Sequence, residues 1–121
     1  MVLIVEDDEN TRELYLKVLR RVGIQCLATG VPDVALRWAR TQRFDAVLLD
    51  LGLPRIEDGM RLASALRTEH DAPPIIAITG HRLKPESTPL FAATLHKPFG
   101  ASTIVSTVQR FLEGQQLTLR L

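Results

Sequence analysis

Four side chains in this sequence are spaced so that they could share one piece of chemistry. Glu6 and Asp7 follow the apolar run Val2-Leu3-Ile4-Val5, Asp50 follows Ala46-Val47-Leu48-Leu49, and Lys97 precedes Pro98. If both runs are neighbouring buried strands, the three carboxylates collect at one end of a sheet. Gathered acids repel and raise one another's pKa unless a cation joins them. A divalent metal is the expected cation. Mg²⁺ is the hard ion that best suits a few carboxylates together with phosphate oxygens.

The elements that must position these groups alternate between β-type and helix-type patterns. After the first run, Asn10-Thr11-Arg12-Glu13 reads as a capping box with Asn10 as N-cap. Leu14, Val18, Leu19 and Val22 follow at helical spacing, and Gly23 supplies a stop. Residues 26–28 form a short second strand, and Gly30 and Pro32 introduce a helix with Ala35, Trp38 and Ala39 on one face. Residues 46–49 read as a strand buried on both sides. A loop with Gly52 and Pro54 leads to Asp58, expected as an N-cap, and a helix carrying Leu62, Ala63 and Leu66. Residues 75–78 and 93–95 give a fourth and a weaker fifth strand. The last helix is expected from about Ser102, with Ile104, Val105, Val108 and Leu112 inward, to a stop at Gly114.

This alternation predicts an α/β fold, a parallel sheet with helices on both faces. In such sheets ligands bind beyond the carboxyl ends of the strands, where the strand order reverses. Glu6, Asp7, Asp50, Thr79 and Lys97 all fall just after strand-like runs. Five polar residues at one structural station weigh far more than any one of them.

Composition narrows the classes. With 121 residues, one domain is expected over 1–114, with 115–121 as a short tail; this fits a stand-alone protein or a piece of a longer one. The formal net charge of +1 gives no basic face for nucleic acid. Lys17, Arg20 and Arg21 read as a solvated helix face. Cys26 is alone, which favours a reducing compartment and a buried structural thiol. The N-terminus does not resemble a signal peptide and no run is long enough to cross a bilayer, so a cytoplasmic location without membrane contact is expected. His70, His81 and His96 lack metal-ligand spacing. Asp8 reads as helix-start electrostatics, and Trp38 and Phe44 as packing.

The motifs Val5-Glu6-Asp7-Asp8, Leu48-Leu49-Asp50-Leu51-Gly52-Leu53-Pro54, Thr79-Gly80 and Lys97-Pro98-Phe99, in this order, resemble a response-regulator receiver domain of two-component signalling. The resemblance runs from Val2 to about Leu112. It implies a flavodoxin-like (βα)5 fold with a doubly wound five-stranded sheet of order 2-1-3-4-5. By the same resemblance, Asp50 accepts a phosphoryl group from a phosphohistidine on a histidine kinase or phosphotransfer protein. Mg²⁺, or Mn²⁺, is implied at Glu6, Asp7, Asp50 and the Gly52 carbonyl. Thr79, Gly80 and Lys97 are implied to hold the phosphoryl oxygens, with Lys97 aimed by a cis bond to Pro98. The module is then a signalling domain rather than an enzyme, acting only on its own phosphorylation and dephosphorylation. His81, two residues beyond Thr79, is a candidate for gating water and so setting phosphoryl lifetime.

Several features depart from that pattern. The loop between Leu51 and Gly59 is one residue longer, with Arg55, Ile56 and Glu57 in the bulge. Residues 80–94 are short and contain Pro85 and Pro89, which predicts an irregular or shortened fourth helix. Thr94 stands where many members carry an aromatic switch residue. An alternative is therefore a receiver-like interaction module that does not switch. An Asp-nucleophile phosphatase ranks low, because Gly52 stands where those enzymes place a second Asp. A dinucleotide site is weaker still, since no Gly-rich fingerprint follows the first run.

Overall fold

The computed structural model describes residues 1–53 and 55–120, with side chains described through residue 113. Pro54 and Leu121, named in the expected loop and tail, lie outside the described residues. In chain order the elements are β1 (Val2–Val5), α1 (Glu9–Arg21), β2 (Cys26–Thr29), α2 (Pro32–Thr41), β3 (Ala46–Asp50), α3 (Ile56–Arg67) and β4 (Ile75–Thr79). A 3₁₀ helix (Pro85–Leu90), β5 (Ala93–His96) and α4 (Ala101–Arg120) follow. The strands form one parallel sheet of order β2-β1-β3-β4-β5.

The alternation of side chains along each strand splits the apolar runs into two cores. Val2, Ile4, Ala46, Leu48, Ile76 and Ile78 face α1 and α4, meeting Tyr15, Leu16, Leu19, Ile104 and Val108. Leu3, Val5, Val47, Leu49, Ile75 and Ala77 face α2 and α3, meeting Ala35, Leu62, Ala63 and Leu66. Burial on both faces is why these strands are continuous apolar runs rather than alternating ones. Each fully buried Leu or Ile contributes about 1.5–3 kcal/mol of transfer free energy, so much of the hydrophobic stabilisation is concentrated in the sheet. Trp38 and Ala39 pack at the edge of the second core, and Phe44 is buried within it. No helix among the described residues is long and apolar enough to cross a membrane.

Four local expectations need correction. The N-cap of α1 is Asp8, not Asn10: an Asp8 Oδ2 oxygen accepts from the Thr11 N–H at 2.9 Å and the Thr11 hydroxyl at 2.6 Å. The helix therefore starts two residues earlier, and its inward face is Tyr15, Leu16 and Leu19, while Leu14 is 56% and Val22 45% exposed. Residues 14 and 18 have the same i, i+4 spacing as 15 and 19, so periodicity alone left the face ambiguous. At α3 the N-cap position is Arg55, with no side-chain cap, and Asp58 sits inside the first turn, 4.0 Å from Arg61. The acid favours the positive helix end without capping it. Gly114 does not stop α4, whose backbone stays helical to Arg120, through residues expected as a tail. A lone helical Gly costs only about 1 kcal/mol, and the Gln and Leu residues that follow are good helix formers.

The fourth helix is replaced as expected. Only the 3₁₀ helix stands between β4 and β5, with Pro85 at its start, Pro89 inside it and no buried residue. Pro89 offers no N–H to a helical ladder, which accounts for the absence of a longer α-helix.

Candidate functional site

The strand register sets the site. Val5 is level with Leu49, Asp50 with Ile78, and Thr79 with His96, so Glu6, Asp50, Thr79 and Lys97 emerge side by side at the carboxyl edge. Backbone bonds lock that edge: Glu6 N–H to Thr29 C=O (3.0 Å), Leu51 N–H to Ile78 C=O (3.0 Å) and Lys97 N–H to Thr79 C=O (2.9 Å). Together with Asp7, Asp8, Thr11, Gly52, Gly80 and His81 they line a cleft of about 320 Å³.

Asp50 lies at its floor, 4% exposed. Both carboxylate oxygens are braced: Oδ2 accepts from Lys97 Nζ at 2.6 Å, and Oδ1 from the Gly52 N–H at 3.0 Å. The Lys97–Pro98 bond is cis. Burial works against the Asp50 charge, but hydrogen bonds with Glu6, Lys97 and Gly52 hold its carboxyl below the usual range. Burial also opposes the Lys97 ammonium, yet Asp50, and then Glu6 and Asp7, raise its pKa, so Lys97 remains a cation.

Glu6 is the less comfortable acid. It is 3% exposed, and burial first, then the Asp50 carboxyl beside it, push its pKa up to about 8. Its Oε1 accepts from the Asp8 N–H at 3.0 Å, while Oε2 is buried without a partner. A hydrogen bond between Glu6 and Asp50 would need a proton on Glu6. With both groups ionised, Oε2 faces a second carboxylate and no donor. A cation placed there would relieve both charges, and this orphaned oxygen is the feature that fits a metal. Among the described residues no group of three or more His, Cys, Asp or Glu side chains is placed to hold a metal ion by itself. Buried Glu6 and Asp50, exposed Asp7 and the residue Gly52 line an open, oxygen-rich cleft. That suits Mg²⁺, which keeps waters and takes few protein ligands.

Thr79 is buried, and its hydroxyl is occupied. It donates to the His81 carbonyl at 3.1 Å and accepts from the His81 N–H at 3.0 Å. His81 thus wraps the cleft mouth with its backbone. His70 lies 3.4 Å from Asp71, away from the cleft, and His96 faces solvent at the end of β5. The loop after Asp50 is held by packing: Leu51 and Leu53 are buried, and α3 presses against the loop at Gly59. A Cβ on Gly59 would stand 2.2 Å from the Leu51 carbonyl oxygen, so only glycine permits this approach.

Two contributors escaped the sequence reading. Thr11 lines the cleft, which the Asp8-x-x-Thr11 spacing of an alternative cap signalled. The other is Arg12, whose Nη1 donates to the Glu6 carbonyl at 3.0 Å; no periodicity or motif marked it.

The family model of the response regulator receiver domain matches residues 2–109. The chain belongs to that family. It is 30% identical over 120 residues to transcription factor SKN7 of Saccharomyces cerevisiae, covering 94% of this chain and 19% of SKN7. It is 26% identical over 117 residues to the polar-differentiation response regulator DivK of Brucella anthropi, covering 92% of this chain and 94% of DivK. Its fold superposes, with TM-score 0.81 and 28% identity, on the receiver domain of the sensor histidine kinase PA1611 from Pseudomonas aeruginosa, covering 93% of this chain and 96% of that one. That structure carries a magnesium ion coordinated in its active-site cleft. The chain is thus a receiver-type signalling domain of two-component systems, and it spans under a fifth of the transcription factor it matches.

Proposed function

We propose that the chain is a phosphoacceptor in a phosphorelay, with Asp50 as the acceptor. The observation that carries this reading is a buried carboxylate braced on both oxygens at the floor of an open polar cleft. The donor is a phosphohistidine on a histidine kinase or phosphotransfer protein, in the cytoplasm. One Asp50 oxygen attacks phosphorus, a P–O bond forms and the P–N bond breaks. The imidazole nitrogen leaves with its electron pair and takes a proton from water. Such transfer needs alignment and charge neutralisation more than covalent help.

Glu6, Asp7, Asp50 and the Gly52 carbonyl would hold Mg²⁺, and the same oxygen set accepts Mn²⁺. When bound, the ion supplies positive charge to the phosphoryl oxygens. Lys97, already at Asp50, can move its ammonium onto a phosphoryl oxygen with little travel. Thr79 must release the His81 carbonyl before its hydroxyl can donate to another, and the Gly80 N–H lies on the same wall. Phosphorylation would thereby pull residues 79–81 inward and alter a surface read by an output protein. Hydrolysis of the aspartyl phosphate would reset it, with His81 at the mouth governing water access. The chain acts on itself and contacts neither nucleic acid nor membrane.

A second reading, a module that binds without switching, is favoured by the 3₁₀ helix and by Thr94 in β5. A phosphatase reading has no support at the position of its general acid, where Gly52 donates its N–H to Asp50. The test is intact mass after incubation with acetyl phosphate and Mg²⁺. One phosphate added, and none on Asp50→Asn, supports the acceptor; no adduct on the native chain removes it.

A further inference from the structure

Arg12 is a cation beside three acids, and it pairs with none of them. No ion pair joins it to Glu6, Asp7 or Asp8. Its guanidinium is spent instead on a main-chain atom, the Glu6 carbonyl, at 3.0 Å. That carbonyl belongs to the peptide joining Glu6 to Asp7. The other side of Glu6 is fixed as well, its N–H held by Thr29 of β2 at 3.0 Å. Beyond Val5 the strand has ended, so the Glu6 carbonyl has no ladder partner and would lie in a largely buried corner.

Gly30 keeps the room for this contact. A Cβ there would stand 2.8 Å from Arg12 Nη1, 3.1 Å from Asp7 Cα and 3.2 Å from the Glu6 oxygen. Three segments therefore meet at one peptide: the end of β1, the first turns of α1 and Gly30, which directly follows β2. The Asp8 N–H bond to Glu6 Oε1 closes the same loop from the side-chain end.

We propose that Arg12, seated against Gly30, is a positioning residue that sets the Glu6–Asp7 peptide so that both side chains present oxygens to a divalent cation. The proposal rests on the phosphoacceptor reading for its cation site and adds the part that orients it. By bonding the backbone, Arg12 occupies neither carboxylate. Outer contacts of this kind, when removed, reduce metal affinity about tenfold or more.

The sign of the effect separates positioning from plain electrostatics. Removing a cation near a Mg²⁺ site would, by loss of Coulomb repulsion alone, tighten Mg²⁺ binding. Positioning demands the opposite. The experiment titrates Mg²⁺ into the full chain and follows the amide resonances of Asp7 and Gly52. Arg12→Met, which keeps the aliphatic stem, is expected to bind about tenfold more weakly. Arg12→Lys should fall between it and the native chain. Gly30→Ala changes no charge and should weaken binding similarly, with the double variant no worse than the weaker single. Binding as tight as or tighter than native in Arg12→Met, or unchanged binding in Gly30→Ala, overturns the proposal. If only one variant folds, that one decides. A native chain that binds no Mg²⁺ at all would instead overturn the acceptor reading.

Discussion

The carboxyl edge of β1, β3 and β4 and the segment joining β4 to β5 are adjacent, yet they are built on different principles. The edge rests on fully buried strands and is cross-braced by charged hydrogen bonds at Asp50. The 3₁₀ helix over Pro85–Leu90 fully buries no residue; it has short-range bonds such as Ser87 N–H to Lys84 C=O and Phe91 N–H to Thr88 C=O, and only partly buried Leu83, Leu90 and Phe91 pack it on the second core. Accepting a phosphoryl group requires rigid charge placement. Transmitting one requires an element with two arrangements of similar free energy. Under the proposed function those jobs fall to separate stretches, and the Thr79 hydroxyl on the His81 backbone is the polar link from the cleft to the segment.

Lys97→Ala gives the largest expected effect at the braced edge. It should slow phosphorylation from acetyl phosphate about a hundredfold, as for other charge-stabilising donors. Mg²⁺ should bind no more weakly, because a competing cation has gone. Intact-mass time courses and a Mg²⁺ titration measure the two; weakened Mg²⁺ binding would break the division of roles. Gly59→Ala comes next. Its methyl would meet the Leu51 backbone, and overpacking of this kind costs about 1–3 kcal/mol in urea unfolding. An unchanged midpoint would mean that α3 does not press on the Asp50 loop.

Much of this division was legible in the sequence. Continuous apolar runs ending in acids located the strands and the cleft, and Pro85 and Pro89 announced the irregular fourth helix. What escaped was set by tertiary contacts. Asp8 displaced Asn10 as cap because Glu6 and Thr11 hold it from both sides. Arg12 spends its charge on a carbonyl, a choice that no spacing rule encodes. Gly114 failed as a stop because good helix formers follow it.

Smaller effects sharpen the contrast. Pro89→Ala in the unburied 3₁₀ helix should change stability by less than about 0.5 kcal/mol, as exposed substitutions do. A loss comparable to that of Gly59→Ala would show the segment to be structurally coupled to the core. Cys26 gives the smallest change of all. Burial raises its thiol pKa, and its Sγ–H donates to the Ile24 carbonyl, so the thiolate is scarce at neutral pH. A disulfide reagent should label it only as fast as the chain opens, and rapid labelling of the native chain would contradict that packing.

The most direct single measurement is the amide spectrum of the Mg²⁺-loaded chain with and without beryllofluoride. The account predicts large shifts at Asp50, Leu51 and Gly52, together with shifts at Gly80 and His81 as the Thr79 hydroxyl leaves the His81 carbonyl. An unchanged Asp50–Gly52 stretch would contradict the phosphoacceptor assignment, and shifts confined to that stretch would contradict switching through Thr79.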